Sequence, residues 1–467
     1  MASVRTPVRH ARGPALLQLC RKALLNAWRG GWTGLLAAPI ALNMASAARA
    51  NEQPLLIRDV MLFDGHRMIA HRSVLVEKGR IARIGNARLR SSGALMVDGR
   101  GKTLLPGLID SHVHLPHVHT QDALRQSARL GVTTVIDMFT DQPTLRVLKR
   151  LEAADGPGLA DLRTAGVGAT APGGHPSELG GTFPTISRAA DADRFVQDRI
   201  EEGSDFIKII LEDARQLGPK VKPMPTLNEA TLRALVTAAH RRNKLVAVHV
   251  QTEAYARMAL GAGADGLAHL FIGASASPDF ARLAAAHHIF VIPTLAADYF
   301  ACGRSDSVAI ASDGRMMAQT YAQFTALLRQ AQRPTSVSCA ATDQALVELD
   351  RARVPLLIGT DAPVPGSTYG ASTLDEMSLF VRDGITPLHA LVAATSAPAR
   401  IFRLDDRGEI RAGKRADLLL VSGNPARNIE DIKNIVAVWK KGAAVARAAN
   451  PRSAGKAAAS NASGARP

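Results

Sequence analysis

The sequence predicts an α/β protein: a (β/α)8 TIM-like barrel with a small β-sandwich domain built from both ends of the chain. Three observations carry that expectation. The 467 residues exceed the roughly 250 of a typical barrel and leave room for an appended domain. The centre of the chain alternates short apolar runs with longer amphipathic segments, as parallel strands covered by helices do. Both flanks carry instead short strand-like runs, those of the first punctuated by glycine. At 46% hydrophobic and 21% charged residues, the composition excludes a chain that is mainly disordered.

In chain order, residues 1–50 read as an export signal. Seven basic residues (Arg5, Arg9, Arg12, Arg21, Lys22, Arg29 and Arg49) and no acid accompany an apolar stretch over 30–42, and Ala48-Arg49-Ala50 fits a signal peptidase. A mature chain would start at Asn51, in a bacterial periplasm or secreted. The apolar stretch is shorter than the roughly 20 residues of a membrane span. A disordered start or an organellar transit segment is the alternative. Cys20 precedes the apolar stretch, which argues against a lipid attachment site. Cys302 and Cys339 remain in the mature chain, either paired in an oxidising compartment or as inert buried thiols.

Residues 51–105 form the first part of the sandwich, with strands over 55–59, 73–77, 80–84 and 94–98 and a Lys78-Gly79 turn joining the middle two. Its second part, 406–441, supplies strands over 416–421 and 434–439. Neither set alone makes a core. Between them, 106–405 holds eight apolar runs: 108–115, 133–138, 161–167, 206–210, 245–249, 266–269, 290–295 and 356–361. The amphipathic partners lie over 121–130, 142–153, 189–202, 228–242, 253–261, 278–287 and within 314–350. A doubly wound sheet would place a glycine-rich turn after its first strand, where this chain has Asp110-Ser111-His112-Val113-His114. Residues 442–467 hold four basic residues, no acid and no large apolar residue after Val445, and read as a disordered tail.

The charge follows these divisions. Of the net +16, eleven lie in the two ends and +5 remains over 51–441. No basic recognition helix or aromatic-basic ladder occurs there, which argues against a nucleic-acid partner. A small-molecule substrate fits better.

Catalytic groups of such a barrel sit at the C-terminal ends of strands. His112 and His114 close the first run, His249 the fifth, His269 the sixth and Asp361 the eighth. Residues two apart on a strand point the same way, so His112 and His114 can offer two imidazoles to one ion. Imidazole and carboxylate suit zinc, and also cobalt, manganese or iron. Lys208 stands in Asp205-Phe206-Ile207-Lys208-Ile209-Ile210, where a bare ammonium would be costly to bury.

These residues carry a resemblance. Leu105-Pro106-Gly107-Leu108-Ile109-Asp110-Ser111-His112-Val113-His114 resembles the opening metal motif of the amidohydrolase superfamily. The likeness extends to Leu245-Val246-Ala247-Val248-His249, Gly266-Leu267-Ala268-His269, Gly359-Thr360-Asp361 and the run 408–418, and spans about 54–441. The imidazolonepropionase-like and prolidase-like branch is the nearest in pattern. The resemblance implies two divalent ions, one on His112, His114 and Asp361 and one on His249 and His269, bridged by Lys208 as N6-carboxylysine. A one-metal centre beside a snorkelling Lys208 is the alternative. It further implies attack of a bridging hydroxide on a carbonyl, with Asp361 moving the proton to the leaving nitrogen.

The implied reaction is cleavage of the amide C–N bond of a dipeptide-like or N-acyl amino-acid substrate. The runner-up is a lactonase or phosphotriesterase using the same centre; a cyclic amidine or imidazolone substrate comes third. Related barrels often assemble, which implies a homo-oligomer. His175, in the Gly- and Pro-rich loop after the third run, matches a histidine that often faces substrate in this branch. Tyr299, after the seventh run, is a candidate substrate contact, as is His117, while His119 is a loop residue. Arg215 and Lys220, after the fourth run, are candidates for a substrate carboxylate.

Overall fold

The structure, a computed structural model, describes residues 53–156, 158–215, 221–272, 276–302, 304, 309, 314–330 and 338–446. The expected export signal and most of the expected tail lie outside the described residues. The chain opens with β1 (Leu55–Phe63), β2 (Met68–Glu77), β3 (Arg80–Asn86), β4 (Leu95–Asp98) and β5 (Lys102–Pro106). Lys78 and Gly79 both have positive φ, 50° and 74°, which matches the twist of the β2–β3 hairpin.

The centre is mixed α/β. It contains β6 (Leu108–Val113), α1 (Thr120–Arg129), β7 (Val132–Asp137), α2 (Gln142–Ala154), β8 (Asp161–Thr164) and α3 (Ala192–Glu201). It continues with β9 (Ile207–Leu211), α4 (Glu229–Arg241), β10 (Val246–Val250), α5 (Glu253–Ala262), β11 (Gly266–Ala268), α6 (Phe280–Ala286) and β12 (Phe290–Ile292). Caps set several of the helix starts: Asp141, Asn228 and Thr252 each accept a backbone N–H from the first turn of α2, α4 and α5. Then come α7 (Leu295–Ala301), α8 (Ala318–Gln330), α9 (Ala340–Arg351) and α10 (Ala371–Arg382). The long helical stretch expected within 314–350 is thus described as two helices, α8 and α9.

All pairings among β6 to β12 are parallel, in the orders β6-β7-β8 and β12-β11-β10-β9. Two places join these sheets. Ala169 makes a parallel bridge to Ile209 of β9, and Val113 of β6 makes one to Ala362. The eighth expected strand, 356–361, is not assigned as a strand. Its backbone nevertheless bonds on both sides, Leu357 N to Val291 O at 2.9 Å and Ser111 N to Ile358 O at 2.8 Å. Its register is broken by Asp361, whose φ of 57° leaves the extended region.

The chain closes with β13 (Leu418–Ser422), β14 (Ile435–Lys440) and β15 (Ala443–Ala444). The strands expected of the β-sandwich lie in one eight-stranded sheet, ordered β15-β14-β13-β5-β1-β2-β3, with β4 on β1. Its two halves meet where β13 pairs antiparallel with β5, Leu419 opposite Leu105. Leu55, Ile57, Leu104, Leu418, Leu420 and Trp439 share a core there. Against the central layers, Arg407, Arg415 and Lys440 converge on Asp161 at the start of β8. No helix of the described residues is long and apolar enough to cross a membrane.

Candidate metal centre

β6 carries His112, buried, and His114 follows directly after its end, partly open. Asp361 follows the run 356–361. Both histidine Nε2 atoms point at its Oδ1, His112 at 3.1 Å and His114 at 2.9 Å. The three ligand atoms lie within 4.8 Å of one another, a group able to hold a metal ion. Buried Asp110 sets this geometry: it accepts Thr360 N at 3.1 Å, Thr360 Oγ1 at 2.9 Å and Thr373 Oγ1 at 2.8 Å.

The other expected ligands stand alongside. The His269 ring lies 4.8 Å from that of His112 and 4.4 Å from that of His249, centre to centre. Lys208, on β9, is 2% exposed. Its backbone carbonyl bonds Ala169 N at 2.8 Å, fixing β9 against the chain after β8.

Hydrogen bonds select which ring nitrogens are bare. The Phe139 carbonyl, 3.2 Å from His114 Nδ1, can only accept, so Nδ1 carries a proton and Nε2 is the nitrogen that faces Asp361. Thr294 donates its hydroxyl to Pro293 O at 2.7 Å and so accepts from His269 Nδ1 at 2.7 Å, baring His269 Nε2. His249 Nε2 lies 3.2 Å from Glu212, which leaves Nδ1 for a ligand role. Such partners are the ones that orient imidazoles in metal sites.

Burial and charge complete the fit. Burial pushes His112 down to about 3 and His249 down to about 4, and takes His269 well below its usual value, so these imidazoles are neutral. For His114 burial is again the largest influence and works downward, but the hydrogen bond and charge of Asp361 together with the charge of Asp137 raise the value. Burial opposes charge on Asp361, yet His112, His114 and His269 hold its carboxyl well below the carboxylate range. Burial brings Lys208 down to about 7 against the pull of Asp361 and Asp137. The neutral imidazoles of His112, His249 and His269, the Asp361 carboxylate and a lysine brought down toward neutral pH match the donor chemistry of a divalent ion.

The remaining candidates divide. His175 comes to the centre, its ring 5.1 Å from that of His249. Tyr299 does not, which corrects the expectation of a substrate contact. One turn into α7 its ring is fully buried, and its hydroxyl lies between the carboxylates of Asp343 on α9 and Asp383 beside α10, 2.5 Å from each. His117 is also turned away, exposed with Nδ1 3.4 Å from Thr144 Oγ1 of α2. His119 precedes α1 and pairs with Asp122 at 3.3 Å. Arg215 follows β9, is exposed and pairs with Asp213 at 3.3 Å. Lys220 lies outside the described residues. Sequence reasoning missed Glu212 and Thr294, although both sit where the strand-end rule looks, just after β9 and β12.

Comparison with known proteins identifies the family. Residues 103–445 match the amidohydrolase family. An imidazolonepropionase of Pyrobaculum arsenaticum is 44% identical over 73 residues, 16% of this chain and 18% of that protein. An ochratoxinase of Aspergillus niger is 26% identical over 255 residues, 53% of this chain and 48% of that protein. The chain thus spans less than half the length of either relative. The solved structure of a Xaa-Pro dipeptidase with methionine in its active site has a TM-score of 0.68, covering 84% of this chain and 99% of that chain. At 22% identity that likeness is one of fold. With the match running over 103–445 and through each of the strand-end histidines and Asp361, the chain belongs to the amidohydrolase family.

Proposed function

We propose that the protein is a metal-dependent hydrolase that cleaves the amide C–N bond of a dipeptide-like or N-acyl amino-acid substrate. The observation that carries this reading is the convergence of His112, His114 and Asp361 within 4.8 Å. His112, His114 and Asp361 would hold one divalent ion, zinc by donor type, and His249 and His269 a second. Lys208 would link the two as a carbamate, formed when its amine adds carbon dioxide and releases a proton. That change replaces a buried cation with an anion carrying two donor oxygens. A metal bound there polarises a substrate carbonyl and makes water a nucleophile near neutral pH.

The side chains do the rest. Asp361 is ionised and takes the proton from the attacking water, then returns it to the leaving nitrogen. His175, whose ring lies beside that of His249, is the candidate for a direct contact with the substrate. Arg215, at the same end of β9, is the candidate for a substrate carboxylate. The Xaa-Pro dipeptidase likeness is consistent with a dipeptide-like substrate.

Other parts of the reading rest on their own support. Closure of the two parallel sheets into a (β/α)8 barrel is supported by the Ala169–Ile209 bridge and by the backbone bonds of 356–361 to both β12 and β6. Division into sandwich and barrel at 105–106 and 405–406 is supported by the separate core of the eight-stranded sheet. Export is supported by the disulfide between Cys302 and Cys339, whose Cα atoms are 6.0 Å apart.

The test is turnover by zinc-loaded protein of N-benzoyl-L-phenylalanine, Ala-Pro, a γ-lactone and a p-nitrophenyl phosphotriester. Hydrolysis of either amide supports the proposal. Turnover of the lactone or phosphotriester alone overturns it in favour of a lactonase or phosphotriesterase. For the bridge, K208A is expected to lose metal and activity together, and an unchanged metal content would overturn it.

A further inference from the structure

Beside the metal centre, and outside its expected ligands, the loop after β8 carries a second paired histidine. His175 Nδ1 lies 2.5 Å from Glu178 Oε1. The pair is partly buried, with His175 27% and Glu178 17% exposed. The other carboxylate oxygen, Glu178 Oε2, is buried and has no hydrogen-bond partner among the described residues.

The local sequence builds this pair. Gly174 N bonds Ala171 O at 2.9 Å and Ser177 N bonds Gly174 O at 2.9 Å, folding the loop into successive turns. Position 174 must be glycine, because a Cβ there would lie 2.6 Å from Pro225 O and 2.8 Å from Thr170 Oγ1. Thr170 Oγ1 donates to His175 O at 2.7 Å, fixing the histidine backbone. The short helical turn Ser177–Leu179 then brings Glu178, three residues on, back to the ring.

We propose that Glu178 is a positioning residue for His175. It accepts the Nδ1 proton, so the Nε2 lone pair is left to accept a hydrogen bond from the substrate, and it holds the ring so that no reorientation is needed during reaction. This rests on the hydrolase reading above. A carboxylate that orients a histidine acts only through that histidine, which makes the proposal separable from a structural role.

The test has two arms on the full-length protein. In the first, imidazole nitrogen NMR of the metal-free protein compares wild type, E178Q and E178A, with the His175 signals assigned by their loss in H175A. Wild type is expected to show a protonated Nδ1, and E178A a shift toward the other tautomer. Identical His175 signals in all three would overturn the proposal. In the second, E178A is expected to lower kcat on N-benzoyl-L-phenylalanine about tenfold or more, with KM changed less than about twofold. Added to H175A, it should cost nothing further; independent, multiplying losses would overturn the proposal. Metal content and melting temperature should match wild type in E178Q, which carries both arms if E178A does not fold. Absence of any turnover would count against the hydrolase reading, while the NMR arm would still decide the pairing.

Discussion

His269, Thr294 and Asp361 all have left-handed backbones, with φ of 72°, 54° and 57°. Non-glycine residues rarely adopt this conformation, and each instance costs on the order of 1–3 kcal/mol. Three together at one pocket mark strain held by the surrounding hydrogen bonds for the sake of side-chain direction. Thr294 is the clearest case, because its hydroxyl decides which nitrogen of His269 carries the proton. T294V is therefore expected to weaken metal binding by about 10- to 100-fold in a chelator competition, with the fold kept. Unchanged affinity would mean that His269 is not a ligand. At this scale the sequence was informative where residue type and strand-end position coincide, as for His112, His114, His249, His269 and Asp361. It misled at Tyr299, because a rare aromatic beyond a strand says nothing about which way the next helix turns it. Glu178 was illegible for a related reason: a carboxylate in a loop is ordinary until the chain folds it against a particular imidazole.

Elements meet at points where there is no spare volume or charge. Gly359 precedes the Asp361 turn, and a Cβ there would strike Ile292 Cγ2 and lie 2.8 Å from His112 Cβ. G359A is expected to destabilise the protein by about 1–3 kcal/mol and to lower metal occupancy, read by urea unfolding and metal counting. Between the lobes, Asp161 faces Arg407, Arg415 at 2.6 Å and Lys440. Burial opposes its charge, but those cations hold it down to about 2 from a usual 3.8. Because the folded value is the lower one, this stabilisation is full above the usual carboxylate value and is lost as pH falls through about 2. Its size is about 2 kcal/mol. D161N should cost about 3 kcal/mol at pH 7 by removing the carboxylate that Arg407, Arg415 and Lys440 share. The gap from wild type should narrow steadily as unfolding is measured below pH 4, and a gap independent of pH would refute the linkage. Hydrophobic periodicity made the alternation of strands and helices readable beforehand. It could not reveal that 356–361 bonds to both neighbours without becoming a regular strand, since that follows from the turn at Asp361.

Across the whole molecule, covalent closure and metal binding should act independently on stability. The Cys302–Cys339 bond spans 37 positions and ties the end of α7 to the start of α9. Reduction is expected to cost about 4 kcal/mol by restoring freedom to the unfolded chain, seen as a lower melting temperature at unchanged metal content. Chelation should lower the melting temperature of oxidised protein further, and restored metal should reverse it. The order of residues alone already specified the α/β class, the two-ended placement of the small sheet and most of the metal-ligand candidates. Those features follow from periodicity, from composition and from donors recurring at strand ends, all of which are local. Folding in space was needed to choose Asp361 as the meeting point of two imidazoles, to pair His175 with Glu178 and to turn Tyr299 away. These depend on distances between residues up to 249 positions apart, as for His112 and Asp361, which close only when the sheets come together.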